Sequence, residues 1–296
     1  MKLSIVAGEE DAALAAALAQ GLGCRFSPAA VHAFPDTETS VRIEPAAAAE
    51  RVLLVASLDH PNPKILPLLF LARTLRDYGA KSVVLVAPYL AYMRQDRRFK
   101  EGEGVSARYF GALLSSYFDG LVTVDPHLHR ISSLDEICSI PSTVVHAAPA
   151  VAVWISRCVR QPLLIGPDSE SLQWVADLAQ HAGCPFIVLE KKRRGDRRVE
   201  VSVPDVQRWS QHTPVLFDDI IASGRTMLET VGHLREAGLP APVCIAVHGL
   251  FADASDKLLR QAGAARVVTT NSVRHGTNDI DLIPLLVDAL RGMPAQ

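Results

Sequence analysis

The chain has 296 residues, of which 49% are hydrophobic, and its formal net charge is −2. This length exceeds a single domain of about 100–200 residues, so we expect two domains. The small net charge argues against a general nucleic-acid-binding protein, and no apolar run approaches the ~20 residues that a membrane span requires. The chain begins without a signal-peptide pattern, and its five cysteines form no Cys-x-x-Cys pair. We therefore expect a cytoplasmic protein that binds neither nucleic acid nor membranes.

Short apolar segments alternate along the chain with longer segments of helical periodicity. The predicted strands are, in chain order, Lys2–Ala7, Arg51–Ser57, Lys81–Pro88, Leu121–Asp125, Pro162–Ile165, Pro185–Leu189, Thr213–Phe217, Pro242–His248 and Arg266–Thr270. The predicted helices are Pro63–Tyr78, Ser106–Phe118, Leu172–Ala182 and Thr226–Ala237. Near-continuous apolar strands separated by helices are typical of parallel sheets that are covered by helices on both faces.

The order of strand, acidic turn and helix occurs twice, first around Ser57–His60 and again around Asp218–Thr226. Between the two, Ile140–Ser142 interrupts the pattern. We therefore predict an α/β protein with two similar domains, residues 1–144 and 145–296. Each is expected to contain a parallel-rich sheet flanked by helices.

The segment Val215–Met227 joins an apolar run to two adjacent acids, a short polar turn and a helix. At the carboxyl end of a parallel strand, such a turn can direct backbone N–H groups and hydroxyls at one phosphate, beside a helix N-terminus. The turn residues are Ser223, Gly224, Arg225 and Thr226. Asp218 and Asp219 are placed to accept hydrogen bonds from vicinal hydroxyls, so the predicted ligand is a sugar phosphate. A buried strand with an Asp N-cap would explain one acid but not the whole segment.

A cationic segment follows the predicted strand Lys81–Pro88. Between Arg94 and Arg108 it carries five cationic side chains. These match a triphosphate, because guanidinium groups pair bidentately with phosphate oxygens. A solvated basic loop is the alternative interpretation. The chain lacks both the Gly-x-x-x-x-Gly-Lys-[Ser/Thr] and the Gly-x-Gly-x-x-Gly fingerprints, so ATP would have to bind by other means.

The Asp218–Thr226 segment resembles the phosphoribosyl-pyrophosphate (PRPP) binding motif of the phosphoribosyltransferase-type fold. Phosphoribosyltransferases and ribose-phosphate pyrophosphokinases share that fold, so both predicted domains are expected to be phosphoribosyltransferase-like. Further segments, in family order along the chain, resemble the ribose-phosphate pyrophosphokinases and not the transferases. They are Phe34–Glu38, Arg94–Asp96 with Ser106–Arg108, Asp125–His127, Gly166–Asp168 and Leu189–Asp196.

The resemblance implies an enzyme that transfers the pyrophosphoryl group of ATP to ribose 5-phosphate, giving PRPP and AMP. It implies ATP contacts at Phe34, Asp36, Glu38, Arg94 and Gln95. It implies a Mg²⁺ site at His127 and Asp168, and a flexible catalytic loop that contains Lys191 and Arg193. It implies ribose 5-phosphate binding by Asp218, Asp219, Ser223, Gly224, Arg225 and Thr226. Because the Phe34–Glu38 segment of the family reaches the ATP of a neighbouring subunit, a homo-oligomer of at least two chains is expected.

Each of these segments also has a simpler interpretation: a Pro-Asp turn at residues 35–36, a packed histidine at a strand end, a helix cap at Asp168, and a solvated loop at residues 189–196. Three positions depart from the family pattern. Thr37 replaces a usual Gly, Ala222 replaces a usual acid, and Arg225 replaces a usual Gly.

Two other functions are compatible with parts of the pattern. A nucleobase phosphoribosyltransferase would need no ATP segment, so the Arg94–Arg108 segment counts against it. A non-catalytic regulatory homologue should have lost charged catalytic positions. Those positions are retained, and Ala222 is the main support for the regulatory interpretation.

Overall fold

A computed structural model of the chain describes residues 2–128, 130–166, 171–194, 198–202 and 206–293. The chain divides into two compact units. The first unit comprises Met1–His146, Ser272–Arg274 and Ile283–Gln296. The second unit comprises Ala147–Asn271 and His275–Leu282. In the described ranges, no helix combines the length and the apolar character that crossing a membrane requires.

The first unit is built on a parallel sheet. Its strands are β1 (Leu3–Ala7), β2 (Arg25–Pro28), β3 (Ala30–Ala33), β4 (Thr39–Arg42), β5 (Arg51–Val55), β6 (Ser82–Ala87), β7 (Gly120–Val124) and β8 (Ser142–Val145). Six of them form one sheet in the order β2-β1-β5-β6-β7-β8, with every pair parallel. The other two, β3 and β4, form a separate antiparallel hairpin. Strands β6 and β7 are buried throughout, as central strands of a sheet covered on both faces must be.

The second unit repeats this arrangement. Its strands are β9 (Pro162–Gly166), β10 (Phe186–Val188), β11 (Glu190–Arg194), β12 (Arg198–Ser202), β13 (Thr213–Ile221), β14 (Val243–Gly249), β15 (Arg266–Thr270) and β16 (Asn278–Ile280). The sheet order is β10-β9-β13-β14-β15-β16, again parallel in every pair. Strands β11 and β12 form an antiparallel hairpin at the same place in the chain order as β3 and β4. The prediction of two similar α/β domains with parallel-rich sheets is therefore confirmed.

Helices connect the strands of both units. They are α1 (Ala12–Leu22), α2 (Pro61–Asp77), α3 (Ser106–Tyr117), α4 (Ala148–Cys158), α5 (Leu172–Ala182), α6 (Val206–Trp209), α7 (Arg225–Glu236), α8 (Ser255–Ala262) and α9 (Ile283–Gly292). The predicted helix at Leu172–Ala182 coincides with α5, which ends at the left-handed Gly183 (φ 61°). Glycine adopts this conformation without the steric cost that a Cβ imposes, so the end of the helix was readable from the sequence.

Two helices have equivalent neighbours in the two units. In the second unit, α4 packs against α5 and β16. In the first unit, α9 packs against α1 and β8, which hold the matching places. The first unit therefore takes its counterpart of α4 from the carboxyl end of the chain, after the whole second sheet.

Candidate active site

The two predicted sugar-binding acids lie within a strand. The prediction ended this strand at Phe217, but β13 continues to Ile221 because β14 pairs with it as far as Gly249. Asp218 and Asp219 are consequently extended, and both are partly buried. The backbone N–H of Asp219 donates to Oδ1 of Asp218 at 3.0 Å. Because successive side chains of a strand lie on opposite faces, the two carboxylates lie on opposite faces of β13.

The predicted phosphate turn follows directly and leads into α7. Gly224 is the N-cap of this helix, with φ 65° and ψ 9°, a left-handed conformation that favours glycine. Ser223, Arg225 and Thr226 are exposed. The first N–H groups of a helix have no intrahelical acceptor and carry the positive end of the helix dipole. Hydroxyls, a guanidinium and free N–H groups are thus brought together at the carboxyl end of β13.

The predicted ATP segment follows β6. Arg94 is exposed, whereas Gln95 is held by the loop that contains it. The Gln95 amide donates to Oε2 of Glu103 at 3.1 Å and to the carbonyl of Arg97 at 3.2 Å. Oε2 of Glu103 also accepts the N–H groups of Phe99 and Lys100, at 2.9 and 3.0 Å. Glu103, which sequence reasoning missed, therefore shapes the cationic loop, and these hydrogen bonds lower its pKa.

An ion pair between a buried carboxylate and a half-exposed guanidinium connects this loop to the segment that follows β7. The side chain of Asp96 is only 2% exposed, and both of its carboxylate oxygens lie 3.3 Å from Nη1 of Arg130. The Arg130 guanidinium also lies 5.8 Å from the centre of the Phe99 ring. Sequence reasoning missed Arg130, although it stands three residues after His127. The pair brings the predicted ATP segment and the predicted metal segment together at one edge of the first sheet.

His127 follows β7 and is partly exposed. The nearby Asp125 has φ 32°, and its Oδ1 lies 2.9 Å from Nδ1 of His146. Asp168, the other predicted metal residue, lies outside the described residues. Within the described ranges no three acidic, histidine or cysteine side chains form a metal cluster. Mg²⁺ keeps several waters and is bound by few protein groups together with substrate phosphates, so His127 stays a predicted Mg²⁺ residue.

The remaining predicted ATP contacts form the tip of the β3–β4 hairpin. Phe34, Asp36 and Glu38 are all exposed. The turn is closed by the Phe34 N–H, which donates to the Glu38 carbonyl at 2.8 Å, and by Asp36 Oδ1, which accepts the Glu38 N–H at 3.2 Å. Thr37 has φ 73°, a left-handed conformation in which a β-branched residue is strained. The local backbone therefore has the shape that glycine adopts most easily.

Lys191 and Arg193 lie in strand β11. The segment was predicted as a flexible loop, but residues 190–194 form a strand because residues 198–202 pair with them: Lys191 is opposite Val201 and Arg193 is opposite Val199. The alternation of valine with polar residues in Arg198–Ser202 is the pattern of a strand, and sequence reasoning did not use it. Positions 191 and 193 share one face of β11, and position 192 belongs to the other face. The spacing of two residues between Lys191 and Arg193 therefore places both positions on the same face of β11.

The matching turn of the first unit, Ser57–His60, has a different chemistry. His60 is the left-handed N-cap of α2 (φ 48°), as Gly224 is of α7. Oδ1 of Asp59 accepts from Nζ of Lys64 at 2.7 Å, and Glu10 lies 2.9 Å from the same ammonium. Carboxylates at this turn repel an anion, so the turn of the first unit is poorly suited to a phosphate.

Comparison with known proteins decides the family. Residues 3–117 match the sequence family described as the N-terminal domain of ribose phosphate pyrophosphokinase, and residues 144–282 match the phosphoribosyl transferase domain. The ribose-phosphate pyrophosphokinase of Sulfolobus acidocaldarius is 33% identical over 256 residues, which are 84% of this chain and 86% of that protein. That of Methanothermobacter thermautotrophicus is 32% identical over 282 residues, 94% of this chain and 96% of that protein. The chain belongs to the ribose-phosphate pyrophosphokinase family.

The fold agrees with this family. The crystal structure of phosphoribosylpyrophosphate synthetase from Mycobacterium smegmatis matches with a TM-score of 0.82 and 24% sequence identity, over 98% of this chain and 98% of that one. The resemblance drawn from the motifs is thereby confirmed. The roles of individual site residues stay predictions.

In this member of the ribose-phosphate pyrophosphokinase family, Asp11 offers a pH-dependent test of the first unit. Burial raises the pKa of Asp11 from 3.8 to about 6, although the Ser57 N–H and Lys64 act in the opposite direction. Between about pH 4 and pH 6 the folded protein binds more protons than the unfolded chain, so stability falls as pH rises through this window.

We therefore expect Asp11→Asn to raise the free energy of unfolding at about pH 7.5 by roughly 1–3 kcal/mol and to change it little near pH 4. The lower end of this range allows for the partial exposure of the Asp11 side chain to water. Urea unfolding at both pH values measures this, with Asp77→Asn on the exposed end of α2 as the control. An equal increase in the free energy of unfolding at both pH values would contradict the raised pKa of Asp11.

Proposed function

We propose that the protein is a ribose-phosphate diphosphokinase that converts ATP and D-ribose 5-phosphate into PRPP and AMP. The anomeric hydroxyl oxygen attacks the β-phosphorus of ATP in line, the bond from that phosphorus to the α-phosphate oxygen breaks, and AMP leaves. The observation that carries the proposal is the pair of acids in β13 directly ahead of the Gly224 turn and α7. This arrangement has acceptors for sugar hydroxyls on one side and donors for a phosphate on the other.

The second unit is proposed to hold the sugar phosphate. Asp218 and Asp219 accept hydrogen bonds from the ring hydroxyls, and the 5-phosphate lies against Ser223, Gly224, Arg225 and Thr226. Ala222 contributes no charge, so recognition of the sugar depends on the two acids. The proposed domains are residues 1–144 for ATP and residues 145–296 for ribose 5-phosphate, although residues 272–274 and 283–296 belong to the first unit.

The first unit is proposed to bind ATP. Arg94 is exposed and available to the triphosphate, and Gln95 lies beside it in the loop that Glu103 shapes. The exposed hairpin tip with Phe34, Asp36 and Glu38 is proposed to contact the adenine bound by a second copy of the chain. The working enzyme is therefore a homo-oligomer of at least two subunits, and we propose that it acts in the cytoplasm, where both substrates are found.

Mg²⁺ is the proposed cofactor, held by His127 and Asp168 directly or through water. When bound, it neutralises charge on the phosphate oxygens of ATP. Lys191 and Arg193 are proposed to stabilise the charge that develops on the transferring group. Transfer of this kind depends mainly on positioning and on electrostatic stabilisation.

One assay tests the proposal. The purified protein is incubated with Mg²⁺, ATP and ribose 5-phosphate, and the release of AMP is measured. We expect AMP in equal amount to PRPP and none when ribose 5-phosphate is omitted. A nucleobase phosphoribosyltransferase would instead consume PRPP without ATP. Absence of AMP under every metal and phosphate condition would contradict the proposal. Because Ala222 already departs from the family pattern, that result would favour a regulatory homologue.

His127→Ala is expected to raise the Mg²⁺ concentration required for half-maximal activity, because the variant removes an imidazole at the carboxyl end of β7, beside the proposed ATP loop. Losing one group that orients bound metal typically costs about 10- to 100-fold in metal affinity. The measurement is a Mg²⁺ titration of AMP release. The control is His181→Ala, which changes a histidine on α5 whose side chain is 43% exposed. If the titrations of His127→Ala and the parent coincide, His127 has a structural role alone.

A further inference from the structure

The turn between β14 and α8, residues 249–255, packs directly against the proposed phosphate turn. The backbone N–H groups of Leu250 and Phe251 both donate to the carbonyl of Ile221, at 2.9 and 3.1 Å. Ile221 is the last residue of β13, so these hydrogen bonds hold the strand at the point where the phosphate turn begins.

Ser255, the first residue of α8, makes the next contact. Its side chain is fully buried, and its Oγ donates to the carbonyl of Ala222 at 2.7 Å. A Cβ placed on Gly224 would lie only 3.3 Å from the Cβ of Ser255. Ser255 therefore holds the residue that immediately precedes the phosphate turn by a hydrogen bond, and it limits the space beside the left-handed glycine of that turn.

The backbone before Ser255 is strained. Phe251, Asp253 and Ala254 have φ of 44°, 54° and 56°, and none of them is glycine. Such residues persist where the surrounding structure determines them strongly, and they cluster at functional sites. Here the Phe251 ring packs against His275 with ring centres 4.5 Å apart. It also fills the space next to Gly249, where an added Cβ would lie 2.5 Å from Phe251 Cε2.

Resting on the proposed function, we propose that Ser255 is a positioning residue for ribose 5-phosphate binding. It does not touch the substrate. It fixes the Ala222 carbonyl, and with it the path of the backbone through Ser223 and Gly224, so that the N–H groups of the turn converge before the phosphate arrives. Preorganised donors spend no binding energy on ordering the loop, so losing this contact should weaken sugar-phosphate binding.

The test compares Ser255→Ala with Ser4→Ala. Ser4 is a matched control, because its buried hydroxyl also donates to an alanine carbonyl, that of Ala47 at 2.6 Å in the first unit. Both variants lose one buried hydrogen bond and should lose similar stability. We expect Ser255→Ala alone to raise KM for ribose 5-phosphate by about 5- to 10-fold, the scale of one hydrogen bond, with KM for ATP unchanged. Calorimetric titration with ribose 5-phosphate alone should give the same ratio of dissociation constants.

A second variant, Ser255→Cys, keeps a weak donor in a slightly larger side chain, and its KM should lie between those of the parent and Ser255→Ala. Unchanged ribose 5-phosphate affinity in Ser255→Ala, or an equal loss in Ser4→Ala, overturns the positioning role. A parent protein that releases no AMP overturns the proposed function, whereas its calorimetric titration still tests Ser255. If the parent also fails to bind ribose 5-phosphate, the positioning role is overturned as well.

Discussion

Lys191→Ala is expected to lower kcat by at least about 100-fold and to leave KM for ATP nearly unchanged. In the proposed reaction, negative charge moves to the phosphate oxygens as the β-phosphorus is attacked. A cation that meets this charge in the transition state affects turnover more than ground-state binding. A loss of 100-fold is the scale measured when one preorganised electrostatic contact is removed from an active site.

The β11–β12 hairpin supplies the control for this experiment. Because positions 191 and 193 share a face of β11 and position 192 belongs to the other, Lys192→Ala removes an adjacent positive charge from the opposite face. We expect Arg193→Ala to resemble Lys191→Ala, and Lys192→Ala to keep most of the parental kcat. The double variant at 191 and 193 should fall short of additivity, because both groups serve one transition state.

Steady-state kinetics of the four variants tests whether Lys191 and Arg193 have a catalytic role or whether the hairpin contributes only its general positive charge. Near-parental turnover in Lys191→Ala would remove the catalytic role. Equal losses in Lys191→Ala and Lys192→Ala would also count against it, since a general loss of positive charge has no preference for one face of a strand.

Asp218→Asn and Asp219→Asn are expected to raise KM for ribose 5-phosphate by about 10- to 100-fold, with the fold intact. An amide keeps the size of the side chain but accepts hydrogen bonds less strongly, and hydrogen bonds to charged groups contribute about 1.5–3 kcal/mol. In the proposed site, the two carboxylates approach the sugar from opposite faces of β13. Each variant should therefore show its own effect, and the pair should be closer to additive than the pair at 191 and 193.

The matched control is Asp177→Asn, which changes an aspartate on α5 of the same unit whose side chain is 57% exposed. Its KM for the sugar phosphate should equal that of the parent. Thermal unfolding of all three variants separates a folding defect from a binding defect. Parental sugar-phosphate kinetics in both Asp218→Asn and Asp219→Asn would refute the sugar-binding assignment.

Much of the framework was predictable from local patterns. Apolar runs placed β6, β14 and β15 within one or two residues, because a buried parallel strand must be apolar on both faces. Helix α5 was predicted at its observed bounds, since its periodicity ends at a glycine that can turn left-handed. The turn at Ser223–Thr226 was predicted from local residue types as well, because a glycine that can turn left-handed stands directly before the helical segment.

Features that depend on a partner strand were harder to predict. The β11–β12 hairpin was predicted as a loop because Glu190–Arg194 is entirely charged and has no apolar alternation of its own. Its strand character comes from pairing with residues 198–202. In the same way, β13 gained four residues beyond the predicted end, 218–221, through pairing with β14.

The sequence by itself determined the fold class, the repeat of two similar sheets, the family and the candidate site residues, because each follows from residue types in a local order. The tertiary structure decided which distant segments meet. Helix α9 packs with the first unit, where Arg291 Nη2 donates to the carbonyl of Gly21 at 2.6 Å. Ser255 supports the Ala222 carbonyl from 33 residues away. An apolar face or a serine hydroxyl is compatible with many neighbours, and only packing of the whole chain selects one.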